Sequence, residues 1–483
     1  MKKRFSSAFL IAIMVCGFAL VGTVHFGTAT ASTDVIGIID SDTTWTKANS
    51  PYTLTGPVAV NTGVTLTIEA GTTVNLNSYY IQVNGTLAAK GSGTDLISFN
   101  NGQIIFTQAG SDWNEQTSSG SIIENAIFNS EIAVSGFARL TSKIIINNSP
   151  KINRNTINAY LEVNEGSPTI SYNNLTNKYY GDYLSANDFM VLSMRGGSPK
   201  VFNNTITGIS ITGGSPVILN NKITRGANSG SLAAINNYGG SPVISSNSIE
   251  SGTYTWSGGS FYPGGSTVFG GIIAGNNAHI SDNIISGCSF GIKADSGTIE
   301  KNLIFNNTGA GIEIKNGIIQ NNTITGNGIG IKLIQSSLIT IKHNNFEQSA
   351  QNTIYLEATS NNIEVTNNWW GTTDKQAISQ TIYDFKNDFN LGKVTFEPFL
   401  TAPNPQAMPD PNVPMQVPNS SPSPSPNQSP SPDQNGTTDQ TDQSGNQNEA
   451  QGFNEIEIAI LAVLIMIAVS LIVLIGLVLK KRR

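Results

Sequence analysis

A six-residue phrase recurs eleven times between Ile122 and Trp370: an apolar residue, two variable positions, an asparagine, one variable position and a second apolar residue. The asparagines are Asn125, Asn155, Asn173, Asn204, Asn221, Asn247, Asn283, Asn302, Asn322, Asn344 and Asn368. Their spacings are 30, 18, 31, 17, 26, 36, 19, 20, 22 and 24 residues, one short coil with occasional insertions. Such a period specifies a solenoid, because each unit can bury its apolar side only by stacking on its neighbours. Function on such a frame falls to loops and lateral faces.

Each unit carries two short runs with strand alternation. One is the asparagine phrase, as in Ile299-Glu300-Lys301-Asn302-Leu303-Ile304, and the other is Gly-Ile-x-apolar, as in Gly291-Ile292-Lys293-Ala294, Gly311-Ile312-Glu313-Ile314 and Gly330-Ile331-Lys332-Leu333. Runs this short, broken by Gly, Asn and Ser, are strands rather than helices. Four units enter through a shared Gly-Ser-Pro corner, at Gly166, Gly197, Gly214 and Gly240, where glycine allows an unusual φ and proline fixes the next turn. Stacked coils would bring the asparagines into a hydrogen-bonded amide column, a scaffold rather than a ligand site.

With these phrases the chain resembles the right-handed parallel β-helix superfamily, which includes pectate lyases, polygalacturonases and many membrane-anchored surface proteins. The similarity spans about residues 50–400. Gly63-Val64-Thr65-Leu66-Thr67-Ile68-Glu69-Ala70-Gly71 looks like an opening coil of such surface proteins, and Asn367-Asn368-Trp369-Trp370-Gly371-Thr372-Thr373-Asp374 like their closing one. The resemblance implies an all-β fold, a single parallel β-helix over 58–400 with 32–57 as an N-terminal extension and 366–400 as a C-terminal cap. Trp370, at an inward position, is expected to plug the core, with Ile378, Ile382, Phe385, Phe389, Val394 and Phe396 extending the cover.

The ends suggest a surface location. Residues 1–31 read as a secretory signal: Lys2, Lys3 and Arg4, an apolar stretch, then Ala29-Thr30-Ala31. Cleavage there leaves Cys288 as the one cysteine, so no internal disulfide is expected. Residues 401–452 hold eleven prolines, five acidic residues and no Lys or Arg, the composition of a disordered stalk. Residues 456–479 are apolar and, from Ile458 on, give 22 positions without a charge, followed by Lys480, Lys481, Arg482 and Arg483. That is a transmembrane helix with a basic cytoplasmic tail, leaving the β-helix outside the cell membrane. Residues 32–400 carry 19 basic and 25 acidic side chains with no basic run, which argues against nucleic acid as a partner.

Catalytic signatures are sparse. The polygalacturonase phrases that the superfamily would supply (Asn-Thr-Asp, Asp-Asp, Gly-His-Gly, Arg-Ile-Lys) do not occur. Two histidines, His279 and His343, lie beyond the signal and 64 residues apart, too few for a metal site. No cofactor is implied, calcium entering only if the protein is a lyase. The charged strip Lys293, Glu313, Lys332 with Asp295 and Lys315 reads as cross-coil ion pairing.

The insertions are more informative. Long loops at about 177–189, 225–231 and 251–270 leave the solenoid at one corner. The first carries Tyr179, Tyr180, Asp182, Tyr183 and Asp188, and the third carries Tyr254, Trp256, Phe261 and Tyr262. Aromatic rings with carboxylates on a rigid frame suit sugar stacking and hydroxyl recognition. These residues form the expected substrate-binding set for a glycan or cell-envelope polymer. A polysaccharide lyase or hydrolase using Asp182, Asp188 or Arg225, and a purely structural spacer or adhesin, are the alternatives. Sequons beside the ladder, at Asn174, Asn203 and Asn321, are expected to face outward and be open to glycosylation.

Overall fold

The computed structural model describes residues 32–130, 142–175, 190–225, 233–251, 253–256, 265–275 and 277–410. The expected signal segment, most of the stalk and the apolar tract 456–479 lie outside these residues. Among the described residues no helix is long and apolar enough to cross a membrane.

The described chain is a parallel β-helix, and its coils have three strands where the sequence suggests two. One coil runs Lys200–Phe202, Thr205–Thr207 and Ile209–Ile211; the next runs Val217–Leu219, Lys222–Arg225 and Ala233–Asn237. Each strand pairs in parallel with its counterpart one coil on. First strands form a 13-stranded sheet; second and third strands belong to a 27-stranded one. That larger sheet divides at its start, because the nine-residue strand Tyr52–Val60 pairs with both Thr73–Asn75 and Tyr80–Val83. Pairing begins with Thr33–Ile39 alongside Tyr52–Val60, so regular coils start ahead of Val58.

The third strand arises because the asparagine phrase is bent, not straight. Ile299 and Ile304 both point into the core, but Lys301 between them has φ +54° and splits the phrase into Gly297–Glu300 and Leu303–Phe305. The residue before each ladder asparagine repeats this left-handed geometry, with φ between 53° and 60° at Arg154, Tyr172, Asn203, Asn220, Ser246, Asp282, Lys301, Asn321, His343 and Asn367. Non-glycine residues pay for that region, on the order of 1–3 kcal/mol each. The asparagine that follows supplies the compensation.

Asn204 shows how. Its Oδ1 accepts the backbone N–H and the Nδ2 of Asn173 at 2.8 and 3.0 Å. Its own Nδ2 lies 2.9–3.0 Å from Ile170 O, Phe202 O and Asn221 Oδ1. The same pattern passes through Asn221, Asn247, Asn283, Asn302, Asn322 and Asn344 to Asn368. It thereby satisfies backbone groups at a bend that no water reaches. Ten asparagines, from Asn155 to Asn368, form this column.

Asn125 is not among them. Asn155 Oδ1 accepts instead from the N–H of Ala126, which holds the ladder position in that coil. Asn125 takes the left-handed site, φ +50°, and donates to Gly91 O. The doubled apolar pairs Ile122-Ile123 and Ile127-Phe128 let the phrase be read in two registers; the coil uses Ile123 and Phe128, which are buried. A second, shorter column at another corner escaped sequence reading: Cys288 N–H donates to Asn307 Oδ1, and Asn307 N–H to Asn327 Oδ1.

The Gly-Ser-Pro corners stack directly. Gly166, Gly197, Gly214 and Gly240 have φ between 71° and 86°. A Cβ at Gly197 would collide with the carbonyl oxygen of Gly166, and one at Gly214 with that of Gly197. Only glycine permits this approach.

The core closes on Trp370, which packs on Phe346 at 5.0 Å and Phe396 at 6.0 Å. A short helix, Lys375–Gln380, capped by Asp374, adds Ile378, and Ile382 and Val394 are buried beside it. Phe385 and Phe389, expected in this cover, are instead 45% and 82% exposed, because the buried Asp384 carboxylate pins their loop from inside through Lys386 N–H and Val394 N–H. The chain then doubles back as a strap over 400–410. Asn404 N–H donates to Asn345 Oδ1, Asn345 Nδ2 donates to Asn404 O, and Asn404 Nδ2 reaches Asn321 Oδ1. The Thr323 hydroxyl donates to Ala407 O, and Asp410 N–H reaches Asp282. The strap thus lies over the sequon Asn321-Asn322-Thr323, which is expected to stand open, and engages Asn321 Oδ1 and the Thr323 hydroxyl. Asn174 is exposed.

Candidate functional site

Four long insertions fall between the second and third strands of their coils, while a fifth, 107–121, joins a third strand to the next first strand. The gaps in the described chain at 131–141, 176–189 and 226–232 follow Ala126–Asn129, Asn174–Leu175 and Lys222–Arg225, and precede the third strands of the same coils. The fourth insertion starts as a hairpin, with Thr253–Trp256 antiparallel to Gly265–Val268 and Tyr254 opposite Thr267. Of the expected binding residues, Tyr179, Tyr180, Asp182, Tyr183, Asp188, Phe261 and Tyr262 lie outside the described residues. The backbones of Tyr254 and Trp256 sit in the hairpin.

Beside this corner, the outer face of the third strands forms a groove of about 470 Å³. Its floor is built by register. Glu162 pairs with Ser193, Ser193 with Ser210, and Ser210 with Asn236, so short hydroxyl side chains succeed one another along the axis. Two residues along each strand, a second column holds Arg195, Thr212 and Tyr238, whose N–H groups donate to Val163, Met194 and Ile211 carbonyls in turn. Lys143 and Tyr160 close the other end, paired across their strands. The groove runs from the coil of Lys143 to that of Tyr238, four steps, or about 19 Å at ~4.8 Å per step.

Its charges are uneven. Lys143 Nζ lies 3.0 Å from Glu162 Oε1 and 5.9 Å from the Tyr160 ring centre. That pair neutralises itself. Arg195 is exposed and has no ion-pair partner among the described residues. Tyr238 is 57% exposed, leaving ring surface at the wall. Among the described residues the groove therefore offers one guanidinium without an ion-pair partner, a row of hydroxyls and two tyrosines, a donor-rich surface for a hydroxylated anionic ligand.

Farther along the same face the charged strip pairs across coils. Lys293 reaches Glu313 at 2.6 Å and Lys315 reaches Asp295 at 2.7 Å. Lys332 lies 4.0 Å from Glu313 and pairs with Glu357. Burial pulls the Lys332 ammonium down, but the hydrogen bond and charge of Glu357 outweigh it and hold the pKa above its ordinary value. His279 contacts Glu300 at 3.2 Å, and no cluster suited to a metal ion occurs among the described residues. Burial pushes the Cys288 thiol up to about 12, the state of a packing residue rather than a nucleophile.

Sequence reasoning passed over this groove. A signal existed: stacking Tyr160-Leu161-Glu162-Val163, Val191-Leu192-Ser193-Met194-Arg195, Gly208-Ile209-Ser210-Ile211-Thr212 and Ala234-Ile235-Asn236-Asn237-Tyr238 in register puts its lining in two columns. Of these runs Gly208-Ile209-Ser210-Ile211 alone carries the Gly-Ile-x-apolar phrase that marks the later coils.

Residues 207–370 match the family described as the right handed beta helix region. A solved structure of a mutant of the periplasmic alginate epimerase AlgG is similar at 11% identity, over 75% of this chain and 82% of that one, with a TM-score of 0.32. No curated protein matches the chain. Parallel coils and stacked sheets make the described chain a parallel β-helix, and the match over residues 207–370 agrees with that fold.

Proposed function

We propose that this protein is a cell-surface β-helix, tethered by its C-terminal apolar segment, that binds a carbohydrate polymer along the groove of its third-strand face. The observation carrying this reading is Arg195, a guanidinium without an ion-pair partner among the described residues, set between serine and threonine hydroxyls and the exposed ring of Tyr238. A fork of this kind prefers a planar carboxylate, so an acidic polysaccharide fits better than a neutral one. The 22 uncharged residues at 458–479 and the basic tail support the tether.

Binding without catalysis suits the groove better than hydrolysis. Glycoside hydrolysis works through a pair of carboxyl groups. Among the described lining residues Glu162 is the one carboxylate, and Lys143 holds it. The lyase reading keeps Asp182 and Asp188, which lie outside the described residues, and Arg225, which ends the strand Lys222–Arg225.

The test is binding of the full chain to immobilised uronate polymers and to neutral glucans, with product assays run alongside. Arg195→Gln should weaken uronate binding at least about tenfold, the loss of a charge-assisted contact of roughly 1.5–3 kcal/mol, and leave the melting temperature unchanged. Uronate binding equal in wild type and Arg195→Gln would remove the groove from consideration. Release of unsaturated sugars would move the reading to a lyase.

A further inference from the structure

The C-terminal cap carries a feature that neither coil packing nor the groove uses. Tyr355 and Tyr383 stack on the outer face at 4.6 Å and 17°. Two residues beyond Tyr383, on the same alternation, Phe385 is 45% exposed and meets Phe389, 82% exposed, edge-on at 5.3 Å. Their loop is fixed. Buried Asp384 accepts from Lys386 N–H at 3.1 Å and Val394 N–H at 3.0 Å, and its own N–H donates to Asn387 Oδ1 at 3.2 Å. Phe385 N–H bonds Gly392 O at 3.1 Å. A loop pinned this firmly holds two apolar rings in water, and exposed apolar patches of this kind mark a contact surface.

We infer that the Phe385–Phe389 loop is a lipid-contacting element, seating the cap on the bilayer surface that anchors the chain. This rests on the tethered reading given above. The occupant is argued from the chain that follows. Between the strap's end at Asp410 and the apolar tract 456–479 lie 45 residues, which span about 40 Å as a flexible coil and at most about 140 Å in extended polyproline form, so a bilayer is tethered within reach of the cap. Tethering turns a weak interfacial contact into an intramolecular one. Exposed Lys393, two residues beyond the pinned Leu391, adds a cation suited to anionic headgroups. Aromatic rings beside a lysine are the composition of membrane-interface contacts. The groove, on the same outer face, begins six coil steps away at Tyr238, about 29 Å along the axis, and stays clear of the lipid.

The experiment uses the full chain in vesicles of phosphatidylcholine and phosphatidylglycerol. In a Cys16→Ser background, where Cys288 is buried and unreactive, Phe389→Cys and Leu338→Cys are each labelled with an environment-sensitive fluorophore. Leu338, 78% exposed on another part of the solenoid, is the control. Brominated acyl chains should quench most of the emission at position 389 and leave 338 unaffected. Floating vesicles with an unquenched 389 label would overturn the inference while the tether stands. A signal at 389 that depends on protein density and not on bromolipid would assign the loop to a second copy, also overturning it. A chain that fails to float with vesicles would sink the tether, and the lipid contact with it. Should Phe389→Cys fold poorly, the same label at Lys386 gives the same readout one turn away.

Discussion

At the scale of single residues, the molecule is governed by where an amide side chain sits relative to one backbone bend. The asparagine following each left-handed residue is saturated by its neighbours above and below, so a mid-column substitution strands polar groups on both sides. Asn221→Leu removes contacts to Asn204, Val201 O, Leu219 O and Asn247. It should lower stability by about 1–3 kcal/mol, read as a shifted urea midpoint. Asn125→Gly is the counterpart. It forfeits one bond to Gly91 O but relieves φ +50°, and its midpoint should stay close to wild type. The repeat itself was legible because its asparagine has one structural job. Asn125 was misplaced because doubled isoleucine and Ile-Phe pairs leave the register ambiguous by one residue, which the paired strands on either side resolve.

At the scale of elements, the strand count and the strap show what a linear pattern conceals. Apolar residues at both ends of the asparagine phrase face inward either way, so alternation alone does not reveal the corner at Lys301 that makes three strands of two. The strap was hidden for another reason. Thr401-Ala402-Pro403-Asn404-Pro405 has the composition of the stalk it leads into, and its partners grip backbone atoms rather than matching side chains. Removing the Asn345 amide leaves the Asn404 backbone unpaired at both N–H and C=O. Asn345→Ala should therefore cost about 1–3 kcal/mol and raise amide exchange over 400–410 while exchange in 143–163 stays unchanged. Uniform exchange across both regions would mean that the strap contributes nothing separate from the coil beneath it.

At the scale of the whole molecule, a solenoid with four insertions at one corner concentrates recognition on the adjacent face. Sequence reading placed the insertions at one corner and named their aromatics, but loop residues cannot be positioned from spacing. The groove residues were overlooked because Arg195, Ser193, Ser210 and Tyr238 are unremarkable in one dimension and meet only when coils stack. The central claim is that this face holds an acidic sugar chain. A crystal structure of the ectodomain soaked with a short oligouronate tests it most directly. The account predicts sugar rings along the groove from Tyr160 to Tyr238 with a carboxylate within hydrogen-bond distance of the Arg195 guanidinium. An oligouronate bound elsewhere on the solenoid, with the groove empty, would contradict it.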